Sequence, residues 1–307
     1  FLSNFKSTVL LWFLVLATCG NETKEVATTI NNEPHIEQME KEIIVAANRT
    51  EAYVPLLKGK KIAVVANQTS VIFNSDGHTH LIDSLLSLDV DIKHVFAPEH
   101  GFRGDYDAGE HVNYSTDIKT GLDLISLHGK NRKPSQEQLE GLDLVLFDIQ
   151  DVGVRFYTYI STMQLVMEAC AEKGIPILVL DRPNPNGHYV DGPTMKAAHT
   201  SFLGMTEIPL VYGMTIGEYA TMINEEMWLD GDKKVDLTVI SLENWTHDTF
   251  YSLPIRPSPN LPNDTSINLY PSLGLFEGTN INAGRGTEFQ FQRYGASFLD
   301  KKIYDFT

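Results

Sequence analysis

Residues 142–153 read LDLVLF followed by DIQDVG, and this stretch decides how the rest of the chain is read. Six mostly apolar residues end abruptly in Asp148, Gln150 and Asp151, and Gly153 then permits a turn. A run this short, with no strict apolar–polar alternation, suits a strand buried on both faces, as in parallel sheets. The same motif recurs outward from it. Residues 62–66 (IAVVA) run into Asn67-Gln68-Thr69, and 92–97 (IKHVFA) into Pro98-Glu99-His100-Gly101-Phe102-Arg103-Gly104. Residues 175–180 (IPILVL) run into Asp181-Arg182-Pro183-Asn184-Pro185. Residues 123–127 and 237–241 supply further strands, and helical patterns over 79–88, 135–139, 157–173 and 216–227 lie between them. Ser135 with Gln138 three residues on has the form of a capping box. Strand and helix alternating in this way predict an α/β fold, a parallel sheet covered by helices on both faces. In such sheets the ligand crevice lies at the carboxyl ends of the strands, where the four polar clusters fall.

Composition narrows the function. The chain has 307 residues, 42% hydrophobic and 21% charged, an ordinary globular make-up. Lys and Arg number 24 against 40 Asp and Glu, a net charge of −16. So acidic a chain lacks the cationic excess that binds nucleic acid by releasing phosphate counterions. No GxGxxG fingerprint occurs, and residues 284–287 (GRGT) lack the lysine of a phosphate loop, so no nucleotide is expected. Glu99, His100, Asp148, Asp151 and Asp181 are metal-ligand types, but without an HExxH motif or tight His/Cys spacing no metal or other cofactor is expected.

The ends differ from the middle. Lys6 precedes an uncharged apolar run over 8–18, and Leu16-Ala17-Thr18-Cys19 has the form of a lipoprotein signal box, with Thr18 where Gly, Ala or Ser is usual. Residues 1–18 are therefore expected to be a signal peptide, with Cys19 lipidated. Residues 19–44 then form an acidic tether leading into a first helix. Export to the periplasm or outer membrane of a Gram-negative bacterium follows from that reading; a plain signal peptide with a chance cysteine is the alternative. Cys170, on a helix with Ile160, Met163 and Met167, reads as an inert core thiol. His78, His80, His128, His188 and His199 read as surface or loop. After about residue 249, Pro254, Pro257, Pro259, Pro262 and Pro271 break the chain and a glycine-rich stretch follows, so 45–249 and 250–307 are read as separate domains.

Five blocks carry a family resemblance: PEHGFRG (98–104), FDIQDVGVRFYTY (147–159), LDRPNP (180–185), PSPNLP (257–262) and LFEGTNINAGRGTE (275–288). Together they resemble the NamZ family of exo-β-N-acetylmuramidases, in order and without large gaps. The resemblance implies a Rossmann-like domain followed by a smaller C-terminal α+β domain that continues past Thr307, with the active site between them. It also implies hydrolytic release of N-acetylmuramic acid from the non-reducing end of peptidoglycan fragments. A non-catalytic, lipid-anchored binder of cell-wall muropeptides is the rival reading.

Glycoside hydrolysis ordinarily takes two carboxyl groups, one of them protonated. Glu99 is the first choice for the acid, its loop fixed by Pro98 and Gly101 beside His100, with Phe96 and Phe102 as an apolar wall that would raise its pKa. An ion pair from Glu99 to Arg103 is the structural alternative. Glu277, Glu288, Asp148 and Asp151 are candidates for the second carboxylate, and the substrate's own acetamido group is a further option. Muramic acid carries a lactyl carboxylate, and Arg103, Arg155, Arg182 and Arg285 all fall within the motif blocks. Arg155 or Arg285 is favoured for gripping it; pairing to Asp148, Asp151 or Glu288 is the alternative. Gly278, Gly284 and Gly286 would let backbone approach a sugar. Tyr157 or Tyr159 could stack on its face, and Asn260 and Asn280 could bond its hydroxyls or acetamide. Gln150, Asp181 and Asn184 complete the candidate lining.

Overall fold

The computed structural model describes residues 41–99, 101–103 and 115–300. His100 and Cys19 lie outside them, as do the signal and most of the tether. Among the described residues no helix is long and apolar enough to cross a membrane.

Strands β1 (Lys61–Ala66), β2 (Val71–Asn74), β3 (Gly77–His80), β4 (Asp91–Ala97), β5 (Ser115–Thr116), β6 (Asp123–Ser126), β7 (Leu144–Asp148), β8 (Ile177–Leu180) and β9 (Leu237–Ile240) include every strand expected from sequence. Seven of them form one sheet in the order β5-β6-β4-β1-β7-β8-β9, parallel throughout except for the short edge pair β5–β6. Leaving out β5, the strands run third, second, first, fourth, fifth, sixth in sequence, the doubly wound Rossmann order. Both faces are buried. Ile62, Val64, Leu144, Leu146, Leu178 and Leu180 pack on one side against helices α1 (Thr50–Leu57) and α2 (Leu81–Ser87). Val65, Phe96, Val145, Phe147 and Val179 pack on the other against α3 (Tyr159–Lys173) and α4 (Ile216–Glu225). That two-sided burial is why these strands read as continuous apolar runs.

The differences from the sequence reading are local. Residues 79–80 belong to the β2–β3 hairpin and not to the helix, and His80 caps α2 by accepting from the Ile82 N–H at 3.3 Å. Ser135 and Gln138 make both capping-box hydrogen bonds, but they close one turn only, because Gly141 enters the left-handed region at φ +72°. Pro271 does not break the chain. It sits inside α5 (Asp264–Leu273), where the Ile267 carbonyl it cannot bond accepts from Asn186 Nδ2 at 3.3 Å instead. Around α5 a third core gathers Val152, Val154, Leu261, Ile267, Tyr270, Ala283 and Phe291. The segment after β7 is thus packed against residues from beyond 260.

Candidate active site

At the switch point between β1 and β7 a doubly wound sheet usually opens a ligand crevice. Here the chain's own polar side chains occupy it. Arg182 donates from Nε to Asp148 Oδ1 at 2.6 Å and from Nη2 to Asp148 Oδ2 at 2.8 Å, and both side chains are out of contact with solvent. Gln150 donates to the carbonyls of Asp151 and Pro183, and its own N–H bonds Thr69 Oγ1. Asn184 Nδ2 donates to the Met214 carbonyl, while its Oδ1 accepts from the Asn186 N–H. The Asn184 amide also lies where a Cβ on Gly153 would be, 2.2 Å away, so that glycine is required by close approach as well as by its φ of +75°. Asp181 accepts from the Gly217 N–H at 2.8 Å and from Thr215 Oγ1 at 2.9 Å, fastening the start of α4 to the end of β8. Burial pushes its carboxyl up to about 6.

Several expected ligand groups are therefore structural. Asp148, Gln150, Asp181, Arg182 and Asn184 bond one another, backbone groups and the Thr215 hydroxyl. Asp151 is also buried. Its Oδ2 accepts from the Gly153 N–H and the Tyr212 hydroxyl, and burial lifts its pKa to about 6. Arg155, 7% exposed, donates from Nη1 to the carbonyls of Pro193 and Ile208 and so ties down the segment around residue 200; it does not line the cavity that Glu99 and Glu277 line. Arg103 pairs with Asp117 at 2.8 Å and 2.9 Å and reaches Asp83, not Glu99. Phe96 and Phe102 belong to cores on opposite faces of the sheet. Gly284 makes room for the Phe289 carbonyl, 2.2 Å from where its Cβ would sit, not for a ligand. Cys170 is fully buried, its thiol pushed up to about 12 by loss of solvation.

The residues that do converge come from the end of β4, the approach to α3, and the segment beyond residue 257. A cavity of about 350 Å³ is lined by Glu99, Phe156, Tyr157, Thr158, Leu203, Ser258, Asn260, Leu261, Tyr270, Glu277, Arg285 and Phe291. Of the residues expected from sequence, Glu99, Tyr157, Asn260, Glu277 and Arg285 meet here. Asn280 lines a shallower groove beside it that shares Glu277 and Arg285, and Glu288 lies off both. The apolar wall is aromatic. Tyr270 makes edge contacts with Phe156, Tyr157 and Phe291 at centroid distances of 5.1, 5.8 and 4.8 Å.

Three charged groups line that wall. Arg285 Nη1 stands 3.2 Å from Glu277 Oε1. Burial raises the Glu277 pKa; Arg285 opposes the rise and the charge of Glu99 adds to it. Glu99, 27% exposed, faces His128 Nδ1 at 3.9 Å, and the Tyr159 hydroxyl approaches its carbonyl at 3.5 Å. Thr158 holds φ +76°, a strained position for a β-branched residue, at the start of α3 beside the cavity. Among the described residues no group of three His, Cys, Asp or Glu could hold a metal ion.

Sequence reasoning missed His128, Ser258, Tyr270 and the aromatic wall. The position of His128 directly after an apolar run was the available signal for it. Nothing in the local pattern marked Tyr270, whose role comes from α5 packing against the β7 loop.

Residues 62–265 match the model for the N-terminal part of the exo-beta-N-acetylmuramidase NamZ, and 268–305 match that for its C-terminal part. The chain is 45% identical over 256 residues to a peptidoglycan beta-N-acetylmuramidase NamZ of Bacillus subtilis (strain 168), covering 80% of this chain. It spans 59% of that relative's length. A solved DUF1343 family protein from Bacteroides fragilis NCTC 9343 is 48% identical with a TM-score of 0.75, covering 83% of this chain and 67% of its own. A second from the same organism is 34% identical with a TM-score of 0.77, covering 85% and 67%. With two thirds of its length matched by the N-terminal model and the rest of the fold continuing into the C-terminal one, this chain belongs to the NamZ family.

Proposed function

We propose that the protein is an exo-acting glycoside hydrolase that releases N-acetylmuramic acid from the non-reducing end of peptidoglycan fragments. The observation that carries this reading is the pairing of Glu99 and Glu277 in one aromatic-walled cavity that also holds Arg285. Two carboxyl groups across a ligand site are the usual equipment of a glycosidase, one giving a proton to the leaving oxygen and the other ionised. Tyr157, backed by the buried Tyr270, lines the apolar side of the cavity that a sugar ring would cover. Asn260 reaches the hydroxyls or acetamide, and the guanidinium of Arg285 matches the lactyl carboxylate that sets muramic acid apart from other aminosugars. The family relationship to a named peptidoglycan beta-N-acetylmuramidase supports the substrate class.

Residues 1–18 act as an export signal in this reading, and Cys19 carries a lipid that tethers the protein in the cell envelope, where its substrate is found. Mass spectrometry of the mature chain tests that part: Cys19 as the first residue, carrying a diacylglyceryl thioether, is expected, and an unmodified cysteine contradicts it. The catalytic part is tested with a chromogenic β-N-acetylmuramide. Wild type releases the chromophore and free N-acetylmuramic acid, whereas binding without cleavage over a long incubation overturns the enzyme reading.

A further inference from the structure

In the cavity Glu277 pairs with Arg285 and Glu99 lines the same wall, and an acidic sugar brings a third carboxylate to it. On the reading that the ligand is a muramic acid derivative, we propose that its carboxylate takes Arg285 from Glu277. Glu277 then takes a proton from solvent and becomes the acid that protonates the leaving oxygen. Recognition of the ligand's anionic group would thereby arm the catalyst, and neutral aminosugars would leave it unarmed.

The geometry supports this division. The Arg285–Glu277 contact is a single one at 3.2 Å between side chains 41% and 36% exposed, so it can open without moving backbone. The buried Arg182–Asp148 pair, held by two hydrogen bonds, cannot. Three carboxylates in a cavity whose lining holds one guanidinium, against a wall of Phe156, Tyr157, Leu261, Tyr270 and Phe291, leave two negative charges without a counter-charge. Like charges crowded into one site relieve this by binding a proton. The groups facing Glu277 are Arg285, Glu99 and the Tyr270 hydroxyl, and of these only Arg285 favours its ionised form strongly. Glu99 has no ion pair to Arg285 to lose, its side chain standing 3.9 Å from His128 Nδ1, so the loss of a counter-charge falls on Glu277. Asp151 does not line the cavity, and its Oδ2 is engaged by Tyr212 and the Gly153 N–H.

Isothermal titration of the protein with N-acetylmuramic acid, in buffers of differing ionisation enthalpy at mildly acidic pH, reads the proton directly. Wild type is expected to take up a sizeable fraction of a proton per ligand, with affinity weakening as pH rises, and to take up none with N-acetylglucosamine. Glu277→Gln should abolish the uptake and bind the acid sugar roughly threefold tighter, the size of one partly exposed competing ion pair. Arg285→Gln should lose both the uptake and the preference for the acid sugar. Binding without proton uptake in wild type, or uptake that persists in Glu277→Gln, overturns the proposal. Hydrolysis of a chromogenic muramide measured alongside separates the two levels: activity without proton linkage refutes this inference alone. Failure to bind N-acetylmuramic acid and to hydrolyse the muramide refutes the function as well.

Discussion

Arg182 meets Asp148 through two hydrogen bonds with no solvent at either side chain, and Arg285 meets Glu277 through one at the lip of a cavity. The first arrangement makes a residue structural and the second leaves it available. Arg182→Met, which strands a buried carboxylate, should cost about 3–5 kcal/mol in urea unfolding. Arg285→Met should leave the unfolding midpoint nearly unchanged, because exposed pairs contribute little. Asp151 and Asp181 give a second residue-scale expectation. Each holds its proton up to about 6 when folded, against an ordinary carboxylate value of 3.8. The folded chain therefore binds more protons than the unfolded chain between those values, so this part of the stability is present at low pH and lost as pH rises through about 6. Urea midpoints at pH 5 and pH 7 should differ in that sense, and Asp151→Asn should flatten the difference; an unchanged slope contradicts the assignment. The polar residues near the site were legible as types but not as partners. Arg182 and Asp148 lie 34 residues apart, and nothing in either segment announces that they meet.

Strands were more readable than the pieces joining them. Two-sided burial writes itself into sequence as an unbroken apolar run, and β1, β4, β7 and β8 carry that signature. Helix α5 does not. Pro271 argues against a helix by local rules, and only the amide of Asn186, from a loop 81 residues away, makes it tolerable by bonding the orphaned Ile267 carbonyl. The same amide bonds the Val152 carbonyl at 2.8 Å, so one side chain joins α5 to the loop after β7. Asn186→Ala should destabilise the protein by about 1–3 kcal/mol, the cost of unpaired buried carbonyls. It should also loosen the aromatic wall, seen as faster amide exchange in residues 264–273 than in the sheet. Exchange unchanged in α5 would show that its packing, not this amide, holds it. The candidate site depends on that joint, because Tyr270 is an α5 residue.

At the scale of the whole molecule, the switch-point crevice is filled and the cavity is displaced to where the end of β4 meets the segment beyond residue 257. That displacement explains why only one of the four polar clusters at strand ends, through Glu99, supplies a residue to this cavity. It also gives the charge of −16 a local meaning, since among the described residues Arg285 is the one cation that lines this cavity, and the proposed anionic sugar would depend on it. The central claim is that Glu99 and Glu277 are the two carboxyl groups of a muramidase. Its most direct test is the rate of hydrolysis of a chromogenic β-N-acetylmuramide by wild type, Glu99→Gln and Glu277→Gln, each verified as folded. Wild type should release N-acetylmuramic acid, and each variant should lose about 100-fold or more in kcat/KM. Full activity in either variant, or no release by the folded wild type, contradicts the account.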